Sequence, residues 1–132
     1  MKIFFDENFS QFIAKGMAQF ESGPREDPVD VLHVLDQFPR GTPDEELIPK
    51  IAQKHAVLVT KDFNIARTQM LSKLCRDYKL ALIIFRPPSK KGVGHWDWVL
   101  EVVNNWKKIK AEIKRSTPPY TIEIKARSFR RY

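Results

Sequence analysis

The chain has 132 residues, enough for one domain with one substantial core, and its 42% hydrophobic and 30% charged residues are typical of a folded, soluble protein. No apolar run approaches the roughly 18 residues that span a bilayer, and the acidic start MKIFFDENF is unlike a signal peptide. The single Cys75 excludes an intrachain disulfide and a cysteine-based zinc cluster, and it favours a reducing, cytoplasmic location.

Charge is distributed unevenly along the chain. Residues 1–85 carry 11 Lys and Arg and 12 Asp and Glu, whereas residues 86–132 carry 12 and 4, a net charge of +8. A basic C-terminal third attached to a nearly neutral body suits a polyanionic partner such as nucleic acid. It equally suits a solvated surface that keeps the protein soluble, and charge alone leaves both interpretations open.

The first half of the sequence predicts two strands and two helices. Apolar runs at 2–5 (KIFF) and 29–36 (VDVLHVLD) predict strands. Ser10 is placed to cap a helix between them, with an apolar face made of Phe12, Ile13, Met17 and Phe20. Asp44 precedes a second helix, whose apolar residues at helical spacing are Leu47, Ile48, Ile51 and Ala52. Pro49 predicts a late start or a kink in that helix.

The second half predicts three more strands and two more helices. Apolar runs at 56–60 (AVLVT) and 80–85 (LALIIF) predict strands. The helix between them has an apolar face made of Ala66, Met70, Leu71, Leu74 and Tyr78. After a loop at 86–94 comes the clearest helix, with apolar positions Trp96, Val99, Val102, Val103, Trp106, Ile109 and Ile113. Alternation over 120–126 predicts a last strand with one wet face.

Strands alternate with helices, and the first four strands are nearly continuous apolar runs. This pattern predicts an α/β protein with a mainly parallel sheet covered on both faces. We expect one domain over residues 1–132, with an acidic α/β body at 1–85 and a basic helix and strand at 86–132. Right-handed crossovers bring the C-terminal ends of the strands to one edge, where ligands bind in such folds.

Three acids are expected at that edge. Asp6 follows the first strand, Asp62 follows the third, and Asp44 begins the helix that leads into the third. Carboxylates gathered in one cleft repel each other and need a cation, and magnesium and manganese prefer oxygen ligands. A metal held in this way activates water and stabilises charge on a phosphate. Acids on the body and a basic flank therefore indicate a metal-dependent nuclease.

Each acid also has a purely structural interpretation, and for Asp6 it is a cap of the first helix, although Ser10 is better placed. Taken alone, Asp44 fits an N-cap better than a ligand, with the two glutamates after it favoured at the positive helix end. Asp62 is placed to cap a helix from Asn64, and Lys61 before it is expected to point away or pair on the surface. The three histidines lack metal-ligand spacing, Cys75 is expected to be buried and inert, and the tryptophans to lie in core or interface.

Three segments, in order, resemble the PIN-like domains: IFFDENFS, DVLHVLDQFPRGTPDEELIPKIA and AVLVTKDFN. The resemblance covers residues 1–85 and is closest to the small VapC-type toxins. It implies a PIN-like three-layer α/β/α sandwich and a Mg²⁺- or Mn²⁺-dependent ribonuclease that is the toxin of a toxin–antitoxin pair. The partners it implies are RNA, a small antitoxin protein and, as is common in such toxins, a second copy of the chain.

The resemblance also implies the site residues. They are the metal-binding carboxylates Asp6, Asp44 and Asp62, with Thr60 and Asn8 orienting water or a carboxylate. Glu7 is a weaker candidate because neighbouring residues on a strand point to opposite faces. Many PIN nucleases have a fourth acid where this chain has Asn64, so the site holds one metal, holds a second weakly, or is inactive.

Two alternatives come from other functional classes. A signalling receiver domain would use Asp36 as its phosphoacceptor. Only 30 positions separate Asp6 from Asp36, which leaves little room for two helices and a strand, and Arg86 stands where such a domain needs a lysine. The other alternative is an RNA-binding module without catalysis, which is motivated by Asn64.

Overall fold

The structure is a computed structural model that describes residues 1–23, 27–62, 64–86 and 93–125, without the side chain of Ala66. Its elements in chain order are β1 (Lys2–Phe5), α1 (Gln11–Glu21), β2 (Asp30–His33), a 3-10 helix (Val34–Asp36), α2 (Asp44–Gln53), β3 (Val57–Thr60), α3 (Asn64–Arg67), α4 (Gln69–Asp77), β4 (Ala81–Arg86), α5 (His95–Arg115) and β5 (Tyr120–Lys125). Some expectations concern residues outside the described ranges: most of the loop at 86–94, Ala126 of the last strand, and the basic residues Arg127, Arg130 and Arg131.

The strands form one sheet in the order β2-β1-β3-β4-β5, and every neighbouring pair is parallel. The predicted α/β class and parallel sheet are therefore confirmed. Helices connect the strands, so the C-terminal ends of all strands lie along one side of the sheet. We call this side the carboxyl edge, meaning the residues that directly follow Phe5 and Thr60.

Alternating side chains of the strands fill two separate apolar cores. Ile3 and Phe5 belong to the core beneath α1 and α5. Phe4, Leu58 and Leu82 belong to the core beneath α2 and α4. Because both faces of β1 and β3 are covered, these strands have no polar side and read as continuous apolar runs.

The buried face of α1 differs from the predicted one. Two of the four predicted positions are buried, but Phe12 is 74% exposed and Phe20 is 70% exposed. The buried face instead includes Glu21, whose carboxylate forms an ion pair with Lys110 of α5 at 2.7 Å. A buried carboxylate needs such a partner, and this one is 89 residues away in sequence. The prediction for Phe12 and Phe20 is wrong.

Two helices, α3 and α4, replace the single helix predicted between β3 and β4. The chain is extended at Thr68, the N-cap of α4, with φ −75° and ψ 121°. Leu71 and Cys75 are buried on α4, while Met70 and Tyr78 are exposed. The predicted apolar face is therefore wrong for Met70 and Tyr78. The break at Thr68 changes the helical register between Ala66 and Met70, and Tyr78 is the C-cap of α4.

Two helix and strand boundaries also differ from prediction. β2 ends at His33, where the chain enters the 3-10 helix, and the His33 backbone N–H donates to Asp36 Oδ2 at 2.9 Å. Asp36 is thus a turn residue rather than the end of a strand. The late start predicted for α2 is wrong, because α2 begins at Asp44 and Pro49 lies inside it.

The C-terminal elements largely follow the predicted pattern. The buried apolar residues of α5 are Trp98, Val102, Trp106, Ile109 and Ile113, whereas Trp96 and Val103 are exposed and do not belong to the core face. β5 pairs with β4 and has one wet face, as predicted. In the described part of the chain, no helix is both long enough and apolar enough to cross a membrane.

The two cores make a prediction about stability. Phe4→Ala removes a fully buried ring from the core beneath α2 and α4, and we expect it to lower the free energy of unfolding by about 3–5 kcal/mol. Phe20→Ala removes the same side chain from an exposed position and should change it by less than about 0.5 kcal/mol. Urea unfolding measures both, and a comparable loss in the two variants would contradict the assignment of the core.

Candidate active site

Asp6 is the first residue after β1 and lies beside the end of β3. Its backbone N–H donates to the carbonyl oxygen of Val59 at 2.8 Å, which continues the contact between β1 and β3 by one residue. The Asp6 side chain is only 7% exposed. The local sequence therefore holds a nearly buried carboxylate at the carboxyl edge.

A hydrogen-bond network centred on Thr60 orients this carboxylate. The Thr60 hydroxyl donates to Asp6 Oδ2 at 2.8 Å, and the Glu7 backbone N–H donates to Asp6 Oδ1 at 2.8 Å. Asn8 Nδ2 donates to Thr60 Oγ1 at 3.1 Å. Asn8 Oδ1 in turn accepts from the backbone N–H of Lys61 at 3.3 Å. Asn8, Thr60 and Asp6 are thus brought together in one network.

Asp62 belongs to the same network and also caps a helix. Its backbone N–H donates to Thr60 Oγ1 at 2.9 Å, and its Oδ1 accepts from the backbone N–H of Asn64, the first residue of α3, at 2.9 Å. The capping interpretation of Asp62 is confirmed. The capping hydrogen bond occupies one oxygen of the Asp62 carboxylate. No described residue donates a hydrogen bond to the other oxygen, so capping and metal binding are compatible.

Asp44 is the first residue of α2. The N-cap of that helix is Pro43, which makes no side-chain capping bond, so the interpretation of Asp44 as the N-cap is wrong. The carboxylate is not needed to begin the helix. It is nevertheless favoured near the N-terminal end of α2, where the helix dipole is positive.

The three acids lie within one another's electric fields. Burial, followed by the charges of Asp6, Asp62 and Glu45, raises the pKa of Asp44 to about 6. Burial also raises the pKa of Asp6; the hydrogen bonds from Thr60 and Glu7 oppose this rise, and the charges of Asp62 and Glu7 add to it. This mutual repulsion is the condition under which carboxylates bind a cation.

The donor atoms suit a hard metal ion. They are carboxylate oxygens, which Mg²⁺ and Mn²⁺ prefer. Within the described ranges, no three acidic, histidine or cysteine side chains lie close enough to form a ready-made metal site. In this structure the three carboxylates are related by the charge interactions that raise the pKa of Asp44, and they would have to close on an ion to hold it together.

Glu7 has a different partner from the other acids. Its Oε1 accepts from the backbone N–H of Gly41 at 2.9 Å, which attaches the loop before α2 to the end of β1. Gly41 has a φ of +80°, a conformation that favours glycine. Glu7 thus positions the segment that carries Asp44, a role that the spacing of the acids did not indicate.

Lys61 lies against two aromatic rings on the face of β3 opposite Thr60. Its Nζ is 4.8 Å from the ring centre of Phe9 and 4.6 Å from that of Trp98. It therefore points away from the acids, as expected, and forms no surface ion pair with a described residue. Burial lowers the pKa of its ammonium group. The alternation of β3 could have indicated this orientation, because Lys61 continues the series of Val57 and Val59, which face α1 and α5.

Several basic residues of α5 lie far from these acids. Lys110 pairs with Glu21, Lys114 with Asp27, and Arg115 with Glu112. Lys110 and Lys114 line a cavity of about 230 Å³ together with Met1, which precedes β1 at the opposite edge of the sheet. These basic residues in the C-terminal half of α5 therefore do not contribute positive charge at the carboxyl edge.

Comparisons with known proteins point to one family. The family described as a PIN like domain matches residues 1–87, which include Asp6, Asp44 and Asp62. Among the curated proteins and solved structures compared with the chain, none matches it. The match to this family rules out the signalling receiver domain. The contact made by Asp36 agrees with this, because its carboxylate accepts a hydrogen bond from the backbone N–H of His33 at the start of the 3-10 helix.

The electrostatic coupling predicts how Asp44 titrates. In protein kept metal-free with EDTA, we expect the Asp44 carboxyl carbon to titrate near pH 6 in ¹³C NMR spectra. Asp62→Asn removes one negative charge and should lower the pKa of Asp44, because ionising Asp44 then meets less repulsion.

Asp30→Asn is the matched control for this titration. Asp30 is exposed at the start of β2, at the opposite edge, so its substitution should leave the pKa of Asp44 unchanged. An Asp44 pKa that does not respond to Asp62→Asn, or that responds equally to Asp30→Asn, would show that the acids do not form one electrostatic group.

Proposed function

The chain belongs to the PIN-like domain family, and on this premise we propose that it is a metal-dependent endoribonuclease. Its metal-binding carboxylates are Asp6, Asp44 and Asp62. The observation that carries the proposal is that, after burial, the charges of Asp6 and Asp62 are the main causes of the raised pKa of Asp44. Carboxylates that repel one another at the ligand-binding edge of a parallel sheet are typical of a cation site.

The proposed cofactor is Mg²⁺ or Mn²⁺, held by these three carboxylates. When bound, the cation supplies positive charge to the attacked phosphate and activates water. Asn64, in the position of a fourth acid, begins α3 and carries no charge. Because the site has three acidic side chains rather than four, we propose that it binds one cation.

The chain itself supplies the orientation of the ligands. Thr60 fixes one oxygen of Asp6, and the backbone N–H of Glu7 fixes the other. Asn8 holds the Thr60 hydroxyl and the following peptide at the same time. These contacts limit the rotation of the carboxylate before any ligand binds, so less freedom is lost on binding. We propose that Thr60 and Asn8 are positioning residues for this reason.

Cleavage of single-stranded RNA by the purified protein tests the function. We expect cleavage with Mg²⁺ or Mn²⁺ and none with EDTA. Asp6→Asn and Asp44→Asn should each lower kcat/KM at least about a hundredfold, because each removes a charge that holds the cation. Asp62→Asn should do the same while keeping an oxygen that can cap α3.

Asp30→Asn again serves as the control and should cleave RNA like the wild-type protein, with thermal unfolding confirming that all variants fold. Cleavage that persists in EDTA would refute a metal-dependent mechanism. Tight RNA binding without cleavage under any divalent metal would instead identify the chain as a binding module without catalysis.

We further propose that the protein is the toxin of a toxin–antitoxin pair and acts on RNA in the cytoplasm. The similarity of its three acidic segments to VapC-type toxins supports this role. The partners we propose are RNA, a small antitoxin protein that restrains the nuclease, and a second copy of the chain.

Expression in a bacterial host tests the toxin role separately. We expect induction of the wild-type chain to arrest growth, and induction of Asp6→Asn at the same protein level to leave growth unchanged. Normal growth of cells that contain active wild-type nuclease would refute the toxin role and leave the ribonuclease activity standing.

A further inference from the structure

Lys61 occupies an unusual place between two residues of the proposed site. Thr60 before it binds Asp6, and Asp62 after it caps α3. The Lys61 side chain leaves β3 on the opposite face and ends beside the rings of Phe9 and Trp98, at 4.8 and 4.6 Å from their centres. A positive charge is thus held next to Asp62 in the chain, on the other side of the strand from Asp6.

The alternation of the strand explains this separation. Leu58 and Thr60 face α2, where Asp44 lies, while Val57 and Val59 face α1 and α5. Lys61 continues the second series. The bond from its backbone N–H to Asn8 Oδ1 fixes the peptide between the two series. Asn8 therefore orients the Lys61 backbone directly and the Asp6 carboxylate through Thr60.

Aromatic rings stabilise an ammonium group without using its hydrogen-bond donors. The faces of Phe9 and Trp98 attract the charge through their quadrupoles, but they offer no lone pairs. In the described part of the chain, no carboxylate lies within ion-pair distance of Lys61, unlike Lys110 and Lys114 of α5. Its side chain is half-buried rather than enclosed, so the donors can still meet an anion.

We propose that Lys61 binds a backbone phosphate of the RNA strand, next to the phosphate that is cleaved. This inference rests on the proposed function and adds a substrate-binding residue to it. Three carboxylates repel a polyanion, so a strand entering this edge needs a fixed positive charge close by. Lys61 provides that charge on the α1 and α5 side, where an oriented ammonium forms a charge-assisted hydrogen bond with a phosphate oxygen.

RNA binding tests the proposal without requiring cleavage. The probe is a short fluorescein-labelled single-stranded RNA, with Ca²⁺ in place of Mg²⁺ and its integrity checked on a gel. Lys61→Met keeps an apolar stem beside the rings and removes the charge. We expect it to weaken binding roughly tenfold and to reduce the slope of log affinity against log salt by about 0.7, as for one lost phosphate contact.

Two variants serve as controls. Lys61→Arg keeps the charge and the aromatic contact and should retain most of the affinity and the slope. Lys54→Met removes an exposed lysine after the C-terminal end of α2, at the opposite edge, and should bind RNA like the wild-type protein. Equal weakening by Lys54→Met and Lys61→Met would reveal an effect of net charge and overturn the proposal.

A purely structural role for Lys61 gives a different result. Lys61→Met would then lower the thermal unfolding midpoint and leave RNA affinity and salt slope unchanged, which overturns the proposal. If this variant fails to fold, ¹³C NMR of the wild-type lysine side chains decides. The Lys61 Cε signal, displaced by the two rings, should shift on RNA addition, and an unchanged signal would overturn the proposal.

The binding experiment also separates this inference from the proposed function. Wild-type protein that binds RNA through Lys61 but never cleaves it would refute the nuclease and support the phosphate contact. An active nuclease whose KM and RNA affinity are unaffected by Lys61→Met would do the reverse. Wild-type protein that does not bind RNA would overturn both.

Discussion

The hydroxyl group of Thr60 joins two segments that are far apart in the sequence, residues 6–8 and 60–62. It donates to Asp6 at 2.8 Å and accepts from the Asn8 side chain at 3.1 Å and from the Asp62 backbone at 2.9 Å. A hydroxyl has one donor and two acceptor positions, so all of its capacity is used. Because Thr60 is fully buried, losing a partner would leave a polar group unpaired away from water. The ends of β1 and β3 are therefore held in one arrangement.

This network orients Asp6 without neutralising it. Donated hydrogen bonds from Thr60 and from the Glu7 backbone favour the ionised carboxylate, yet burial outweighs them and its pKa stays raised. The protein could have compensated the carboxylate with a basic side chain, as it does for Glu21 with Lys110. At Asp6 it leaves the negative charge incompletely balanced, and a bound cation would restore that balance.

The parallel sheet and the gathering of acids could be predicted because both follow from local patterns. Apolar runs that end on Asp6 and Asp62 specify strands and their polar ends, and helical connections bring those ends together. The ion pair of Glu21 and Lys110 could not be predicted, because its partners are 89 residues apart and neither is apolar. Local periodicity predicts the wrong face for α1, because it cannot distinguish a buried ion pair from a solvated one.

The position of Lys61 was predictable in principle, since the two-residue period of β3 continues past its last residue. The distribution of net charge instead points to the basic C-terminal third. α5 runs away from the carboxyl edge, so its Lys110 and Lys114 reach the start of β1, where they pair with Glu21 and Asp27. A lysine in the nearly neutral body of the chain thus lies closer to the acids than these paired lysines of α5. For recognition of a polyanion, the direction of each element matters more than the total charge that it carries.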